Sequence, residues 1–231
     1  MKLLAVETAT EGCSAALLTD GLIHSRFEVA PRRHAEIILP MCQSVLTEAD
    51  TTLAQLDAIA FGRGPGSFTG VRIAAGIAQG IAFALDLPVV PISTLAALAQ
   101  EVMTKEDSAK VLTAIDARMN EVYWGCYQRD EQGSYARLID EEHVSKPEQV
   151  AVSVESNWYG AGSGWAIYRD SLAQRLGSAL EGFDGELLPK ARFIATLAEI
   201  AYRGGLAVSA EQAQPVYLRD KVAQKVLNVR K

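Results

Sequence analysis

Four glycines, a proline, two hydroxyls and two arginines crowd into the eleven residues GRGPGSFTGVR, Gly62 to Arg72. The stretch lies between an apolar run, LDAIAF, and a helical pattern. Glycines placed there let backbone N–H groups approach an anion, so phosphate binding is the first chemistry to weigh. The lysine of the Gly-x4-Gly-Lys-Ser/Thr pattern is missing, and no magnesium-ligating context follows. The stronger expectation is a sharp strand-to-helix turn in which Ser67 or Thr69 caps the helix. Anion binding beside Arg63 ranks second. Ser67 has no nominated base, and no Gly-x-Ser-x-Gly elbow occurs. The histidines, His24, His34 and His143, are far apart, and neither His-x-x-x-His nor Cys-x-x-Cys is present. No metal site is therefore expected. His34, near the start of an apolar helix, is the best isolated acid–base candidate, although a packed structural histidine is the more expected role.

The elements that must position these residues read as two similar halves. Residues 2–9, Gly12 to Leu18 and Leu22 to Val29 form a three-stranded meander with an Asp20-Gly21 hairpin turn. A helical repeat runs from Arg32 to Ala49, with Pro40 inside it as an expected kink. Strand Leu56 to Phe61, helix Thr69 to Leu85, strand Pro88 to Ile92 and helix Thr94 to Met103 follow. The pattern then restarts with strands at Lys110 to Ala117, Glu121 to Gln128 and Tyr135 to Val144. A helix near Pro147, a strand at Trp158 and helices near 166–176 and 192–203 complete it. AVETATEGCSAALL and AIDARMNEVYWGCY match in order, placing Glu7 and Asp116 alike at a strand end. The expected fold is α/β, a duplicated actin-like (ASKHA, ribonuclease H-like) two-lobed architecture. Its expected division is a first lobe at 1–108, a second at 109–214 and a basic segment at 215–231 packing back on the first.

Two helices carry more apolar surface than one lobe needs. In TGVRIAAGIAQGIAFAL, Ile73, Ile77, Ile81 and Leu85 form a ridge. Gly70, Ala74, Ala78 and Ala82 make one small-residue stripe, and Arg72, Gly76, Gly80 and Ala84 another. Each glycine costs about 1 kcal/mol in a helix relative to alanine, so something should offset them. The preceding helix offers His34, Ile37, Ile38, Leu39, Met41, Val45 and Leu46. Core packing and a subunit interface are both open readings for either helix; the pair together favours the interface.

The bulk numbers set the frame. The chain has 231 residues, 49% hydrophobic and 22% charged, as soluble globular proteins do. No run of eighteen apolar residues occurs, so no membrane span is expected, and MKLLAVETAT reads as a first strand rather than a signal peptide. Cys13, Cys42 and Cys126, odd in number and unclustered, fit reduced thiols and a cytoplasmic location. A net charge of −6 argues against a broad nucleic-acid surface. The end, RDKVAQKVLNVRK, sets Arg219, Lys221, Lys225, Arg230 and Lys231 against Asp220. It could touch RNA or an acidic partner, or be a solvated last helix.

AVETAT, HAEIILP at 34–40, GRGPGSFTGVR, AIDAR and GSGW at 162–165 together resemble the TsaB (YeaZ) family of tRNA threonylcarbamoyladenosine biosynthesis proteins. The resemblance covers essentially the whole chain, and GPGSFTG-x-R is its most specific motif. It implies the two-lobed actin-like fold and a part in forming N6-threonylcarbamoyladenosine in tRNA. In the family, TsaD transfers the threonylcarbamoyl group, TsaB pairs with TsaD, and the ATPase TsaE joins the pair. The resemblance further implies that these two helices pack on the equivalent pair of TsaD, or form a homodimer without it. The implied interface residues are His34, Ile37, Ile38, Met41, Val45, Arg72, Ile73, Gly76, Ile77, Gly80, Ile81 and Ala84. Contact with tRNA is expected only indirectly or through the basic tail.

Actin-like proteins usually hold ATP on an Asp-x-Gly turn from each lobe. Here Glu7-Thr8-Ala9-Thr10 has no glycine until Gly12, and Asp116-Ala117-Arg118-Met119 none until Gly125. Side chains would crowd a phosphate at both turns. Glu7, Asp116, Gly162 and Gly164 remain weak nucleotide candidates, with GAGSGW more simply a strand-to-helix turn. TsaD relatives place two metal-binding histidines four apart after a short apolar strand; PVVPISTLAALAQE has Thr94 and Leu98 there. The expectation is no cofactor, no metal and a catalytically silent subunit. The alternatives are an ATP-binding actin-like enzyme or a glycoprotease-like hydrolase acting alone.

Overall fold

The structure, a computed structural model, describes residues 1–106, 108–154 and 157–219. Strands β1 (Leu3–Glu7) and β2 (Gly12–Thr19) are apolar-rich and buried at every position. The hairpin to β3 (Leu22–Val29) turns on Asp20 (φ 49°) and Gly21 (φ 77°), the positive pair that matches strand twist in a two-residue loop. Helix α1 (His34–Glu48) carries Pro40 on its exposed side. Strand β4 (Ala58–Gly62), helix α2 (Phe68–Leu85), strand β5 (Val89–Ile92) and helix α3 (Thr94–Lys105) follow. The sheet order is β3-β2-β1-β4-β5.

The second sheet repeats that plan. Strands β6 (Lys110–Asp116), β7 (Val122–Arg129), β8 (Ala136–Leu138) and β9 (His143–Ser145) are followed by β10 (Trp158–Ala161). Helices α4 (Ser163–Ile167) and α5 (Arg169–Leu176), strand β11 (Leu180–Asp184) and helix α6 (Ala191–Arg203) complete it. Its order, β11-β10-β6-β7-β8, mirrors the first strand for strand. In each sheet an antiparallel meander is extended by two parallel strands beyond its first member. Two such sheets in one chain are the duplicated actin-like, ribonuclease H-like fold.

The helices are shared out less simply than the strands. α1 and α2 cover one face of the first sheet, burying Ile38, Val45, Ala74 and Ala78 with Leu4, Val6 and Phe61. The opposite face is closed by α6, through Phe193, Ile194 and Leu197 against Leu3, Ala16 and Ala60. Helix α6, expected within the second lobe, thus serves the core of the first. α3 does the reverse, packing Leu95, Leu98 and Val102 on Val111, Ile115 and Tyr127 of the second sheet.

Local differences from expectation have physical causes. The single strand expected at Tyr135 to Val144 is β8 and β9, parted where Glu142 turns inward to accept from Tyr127. The helix expected near Pro147 is one 3-10 turn at 147–149. The helix near 166–176 divides at Tyr168, whose hydroxyl donates to Asp116.

Candidate functional site

The GRGPG loop closes on the chain's own first turn. Ser67 caps α2, its Oγ accepting the Gly70 N–H at 3.3 Å. The Ser67 N–H itself donates to the Ala9 carbonyl at 2.7 Å. Thr8 Oγ donates to the Gly70 carbonyl at 2.7 Å, and a Cβ on Gly70 would stand 2.1 Å from the Thr8 carbonyl oxygen. The glycines therefore admit residues 8 and 9, and the helix start that could receive an anion faces this turn.

Glu7 lies at the centre of that contact, fully buried. Its carboxylate accepts from the Ala9 N–H at 2.5 Å and from Thr94 Oγ at 3.1 Å. Burial pushes its pKa from 4.5 up to about 7, against the lowering effect of these hydrogen bonds. Thr94, at one position of the relatives' metal pair, is thus engaged with Glu7. Leu98, at the other, is fully buried in the α3 core. Among the described residues, no cluster of three or more His, Cys, Asp or Glu could hold a metal ion.

The second lobe's turn is similarly occupied. Asp116 accepts from the Arg118 N–H at 3.0 Å, from the Arg118 guanidinium at 2.9 Å and from the Tyr168 hydroxyl at 3.2 Å. Burial and the Asp116 charge raise the Tyr168 pKa. Arg118, Met119 and Asn120 all take positive φ, at 62°, 57° and 59°. This turn aims Arg118 across the lobes at Glu11, 3.7 Å away. Gly162, with φ 100°, and Gly164 seat the GSGW turn on β6, where a Cβ on Gly162 would lie 2.6 Å from the Ala114 carbonyl. Trp165 is buried and donates Nε1–H to the Leu112 carbonyl at 2.9 Å. Glu7 and Asp116 close equivalent turns, then, and each spends its carboxylate on its own chain.

A buried interlobe cluster has no signature in the sequence. Glu142 accepts from Ser93 Oγ and, at 2.5 Å, from the Tyr127 hydroxyl. Arg63 of the GRGPG loop reaches the same carboxylate at 3.5 Å. Burial, then the Glu142 charge, holds Tyr127 well above the usual tyrosine range. Glu142 sits in the acidic run DEEH, whose pattern does not separate it from its exposed neighbours Asp140 and Glu141.

The outward surface of α1 and α2 is narrower than the sequence suggested. His34, Ile37, Ile38 and Val45, expected at an interface, are buried within the chain. Ile37, Ile38 and Val45 belong to the first sheet's core, and His34 Nε2 is buried with no hydrogen-bond partner among the described residues. A helix apolar on most sides gives no periodic sign of which side turns inward. Met41, Ile73, Ile77 and Ile81 are half-buried, and Arg72, Gly76, Gly80 and Ala84 are exposed. Leu39, Phe68 and Phe83, the last 73% exposed, join this surface. The two small-residue stripes of α2 part company: Gly70, Ala74, Ala78 and Ala82 are buried. At Gly76 and Gly80 a Cβ would meet none of the described residues within 4 Å. By length and a mean hydropathy of 1.5, α2 is the one described helix that could span a membrane. Only 33% of it is buried inside the chain, so apolar surface remains outside the fold.

The C-terminal segment runs beside this surface. Gln79 donates to the Ala213 carbonyl at 3.0 Å, and the Val216 N–H donates to the Arg63 carbonyl at 2.8 Å. Arg219 pairs with Glu121 of the second lobe. Lys221, Lys225, Arg230 and Lys231, the rest of the basic tail, lie outside the described residues.

The chain is similar over most of its length to several known proteins. The family model for TsaD, tRNA N6-adenosine threonylcarbamoyltransferase, matches residues 23–226. The tRNA threonylcarbamoyladenosine biosynthesis protein TsaB of Escherichia coli K12 is 47% identical, over 98% of each chain. That of Haemophilus influenzae is 43% identical, over 98% of this chain and 97% of its own. The solved structure of YeaZ from Pseudomonas aeruginosa is 50% identical, covers 94% of this chain and 99% of its own, and superposes with a TM-score of 0.87. With the motif set, the duplicated fold and this full-length similarity, the chain belongs to the TsaB (YeaZ) family of tRNA threonylcarbamoyladenosine biosynthesis proteins.

Proposed function

We propose that the chain is a catalytically silent subunit that binds and supports the threonylcarbamoyl transferase TsaD through the outward face of α1 and α2. One observation carries this reading: Gly76 and Gly80 leave open space on an exposed apolar helix face. Glycine in a helix costs about 1 kcal/mol relative to alanine, and no neighbour among the described residues requires it here. Close approach of another helix supplies the missing reason, since small residues let two backbones pack tightly. The half-buried isoleucine ridge beside them adds apolar area for a partner to cover. The ATPase TsaE joins the assembled pair, and the same face forms a homodimer when TsaD is absent.

The site chemistry agrees with a silent role. Ser67 Oγ serves as a helix cap, and Thr94 and Leu98 are engaged within the chain. Glu7 and Asp116 are likewise satisfied by their own turns. The reading is tested by co-purification with TsaD. Gly76→Arg and Gly80→Arg, which leave the core untouched, are expected to abolish it; retention of TsaD by both overturns the proposed face. Calorimetric titration of ATP–Mg into the isolated chain provides a second check, because tight binding would contradict the silent role.

A further inference from the structure

At the start of the same helix face, Arg72 is held ready for an acid that the described residues do not provide. Its guanidinium carbon stands 3.2 Å from the centroid of the Phe68 ring and 5.0 Å from that of Tyr217. The two rings are themselves 6.0 Å apart. One guanidinium nitrogen, Nη1, donates to the Phe68 carbonyl at 3.2 Å. Among the described residues no carboxylate pairs with Arg72, whereas Arg26, Arg33, Arg63, Arg118, Arg203 and Arg219 each pair with one. Phe68, Arg72 and Tyr217 are all exposed, so this order is kept at the surface. Stacking on aromatic faces fixes the guanidinium plane and leaves its other N–H donors pointing past the rings.

Tyr217 reaches this place because the C-terminal segment is tied down just before it, by the Val216 N–H to the Arg63 carbonyl. The segment thereby contributes one wall of the clamp to a helix more than a hundred residues earlier. Arg72 lies one turn before Gly76 and two before Gly80, so about 6 and 12 Å along the axis. A helix seated on those glycines passes within reach of the clamp.

We propose that Phe68, Arg72 and Tyr217 form a preorganised receptor for a carboxylate side chain on the docking helix of the transferase. This rests on the docking face proposed above and names the chemistry the partner must carry there: small residues opposite Gly76 and Gly80, and an Asp or Glu opposite Arg72. The clamp lowers the ordering cost of a long side chain before binding, which is the general benefit of preorganisation. Phosphate groups of RNA are the competing anion, and the test separates them.

The experiment measures binding of the full-length chain to TsaD, without RNA, at low and at high salt, and in a separate titration its binding to tRNA. Arg72→Met, which keeps the apolar stem, is expected to weaken binding by about tenfold or more and to flatten its salt dependence. Arg72→Glu should weaken it further. Tyr217→Ala should speed dissociation while net charge is unchanged. Gly80→Arg should abolish binding altogether. Thermal unfolding of each free variant verifies the fold. If Arg72→Met and Arg72→Glu bind TsaD as the natural chain does while Gly80→Arg fails, the carboxylate receptor is wrong and the docking face survives. If Gly80→Arg also binds normally, the docking face is wrong and the receptor falls with it. Loss of tRNA affinity alone in the Arg72 variants, with TsaD binding intact, assigns the clamp to phosphate and overturns the proposal.

Discussion

A Cβ built on Gly62 would sit 1.8 Å from the Oε2 atom of Glu7. The acid that ends β1 and the glycine that ends β4 are therefore one packing unit, made across parallel strands. Gly62→Ala must displace a fully buried carboxylate or move a strand. It is expected to destabilise the chain by about 1–3 kcal/mol, the usual cost of overpacking. Urea unfolding checks this; an unchanged midpoint would show that Glu7 relocates freely.

Glu7 also makes stability depend on pH. Its folded pKa of about 7 lies above the ordinary 4.5, so the folded state holds the extra proton between those values. Stability from this group is fully present below about 4.5 and falls as pH rises to about 7. The loss at pH 8 is at most about 3 kcal/mol. Glu7→Gln, neutral at every pH, should flatten this part of the profile and raise stability at pH 8. A profile parallel to that of the natural chain would contradict the assignment.

Gly76 and Gly80 should behave in the opposite way to Gly62. With nothing near an added methyl, Gly76→Ala and Gly80→Ala are each expected to stabilise the isolated chain by about 0.5–1 kcal/mol. The same substitutions should weaken TsaD binding, because the partner helix is held off. Stability and binding measured on one set of variants separate a docking glycine from a structural one.

Much of this was legible beforehand, and the failures share a cause. The meander, the Asp20-Gly21 turn, α2 and the restart at Lys110 follow from periodicity and turn chemistry. The equivalence of Glu7 and Asp116 followed from the order of elements. Which side of an all-apolar helix faces inward does not, so Ile38 and Val45 read as interface residues although they are core. Helix α6 has a clear apolar side, yet nothing local says that it crosses to the first sheet. Glu142 and Tyr217 gain their roles only from distant residues, Tyr127 and Ser93 for one and Arg72 for the other. Such long-range pairings leave no trace in spacing.

Ser67 separates a helix cap from a nucleophile. Ser67→Ala should cost about 1 kcal/mol of stability, as loss of an N-cap does. Formation of threonylcarbamoyladenosine by the assembled complex should be unaffected at saturating protein. A large loss of turnover in a well-folded Ser67→Ala protein would favour a hydrolase.

The buried Glu142 cluster joins the lobes and should be sensitive to truncation. Glu142→Ala leaves the buried Tyr127 hydroxyl with Ser93 Oγ, 3.4 Å away, in place of its short bond to the carboxylate, and removes the acceptor of Arg63. A loss of about 1–3 kcal/mol is expected, the cost of leaving such groups poorly satisfied. Arg63→Ala, which leaves Glu142 its two hydroxyl donors, should cost less. Equal effects would show that the ion pair dominates.

Support of a transferase through the outward face of α2 is the proposal on which the rest depends. Its most direct test is formation of threonylcarbamoyladenosine in tRNA by TsaD and TsaE, with this chain present, omitted or replaced by Gly80→Arg. Modification is expected with the natural chain and almost none in the other two reactions. Equal modification without the chain, or with the Gly80→Arg variant, would contradict it.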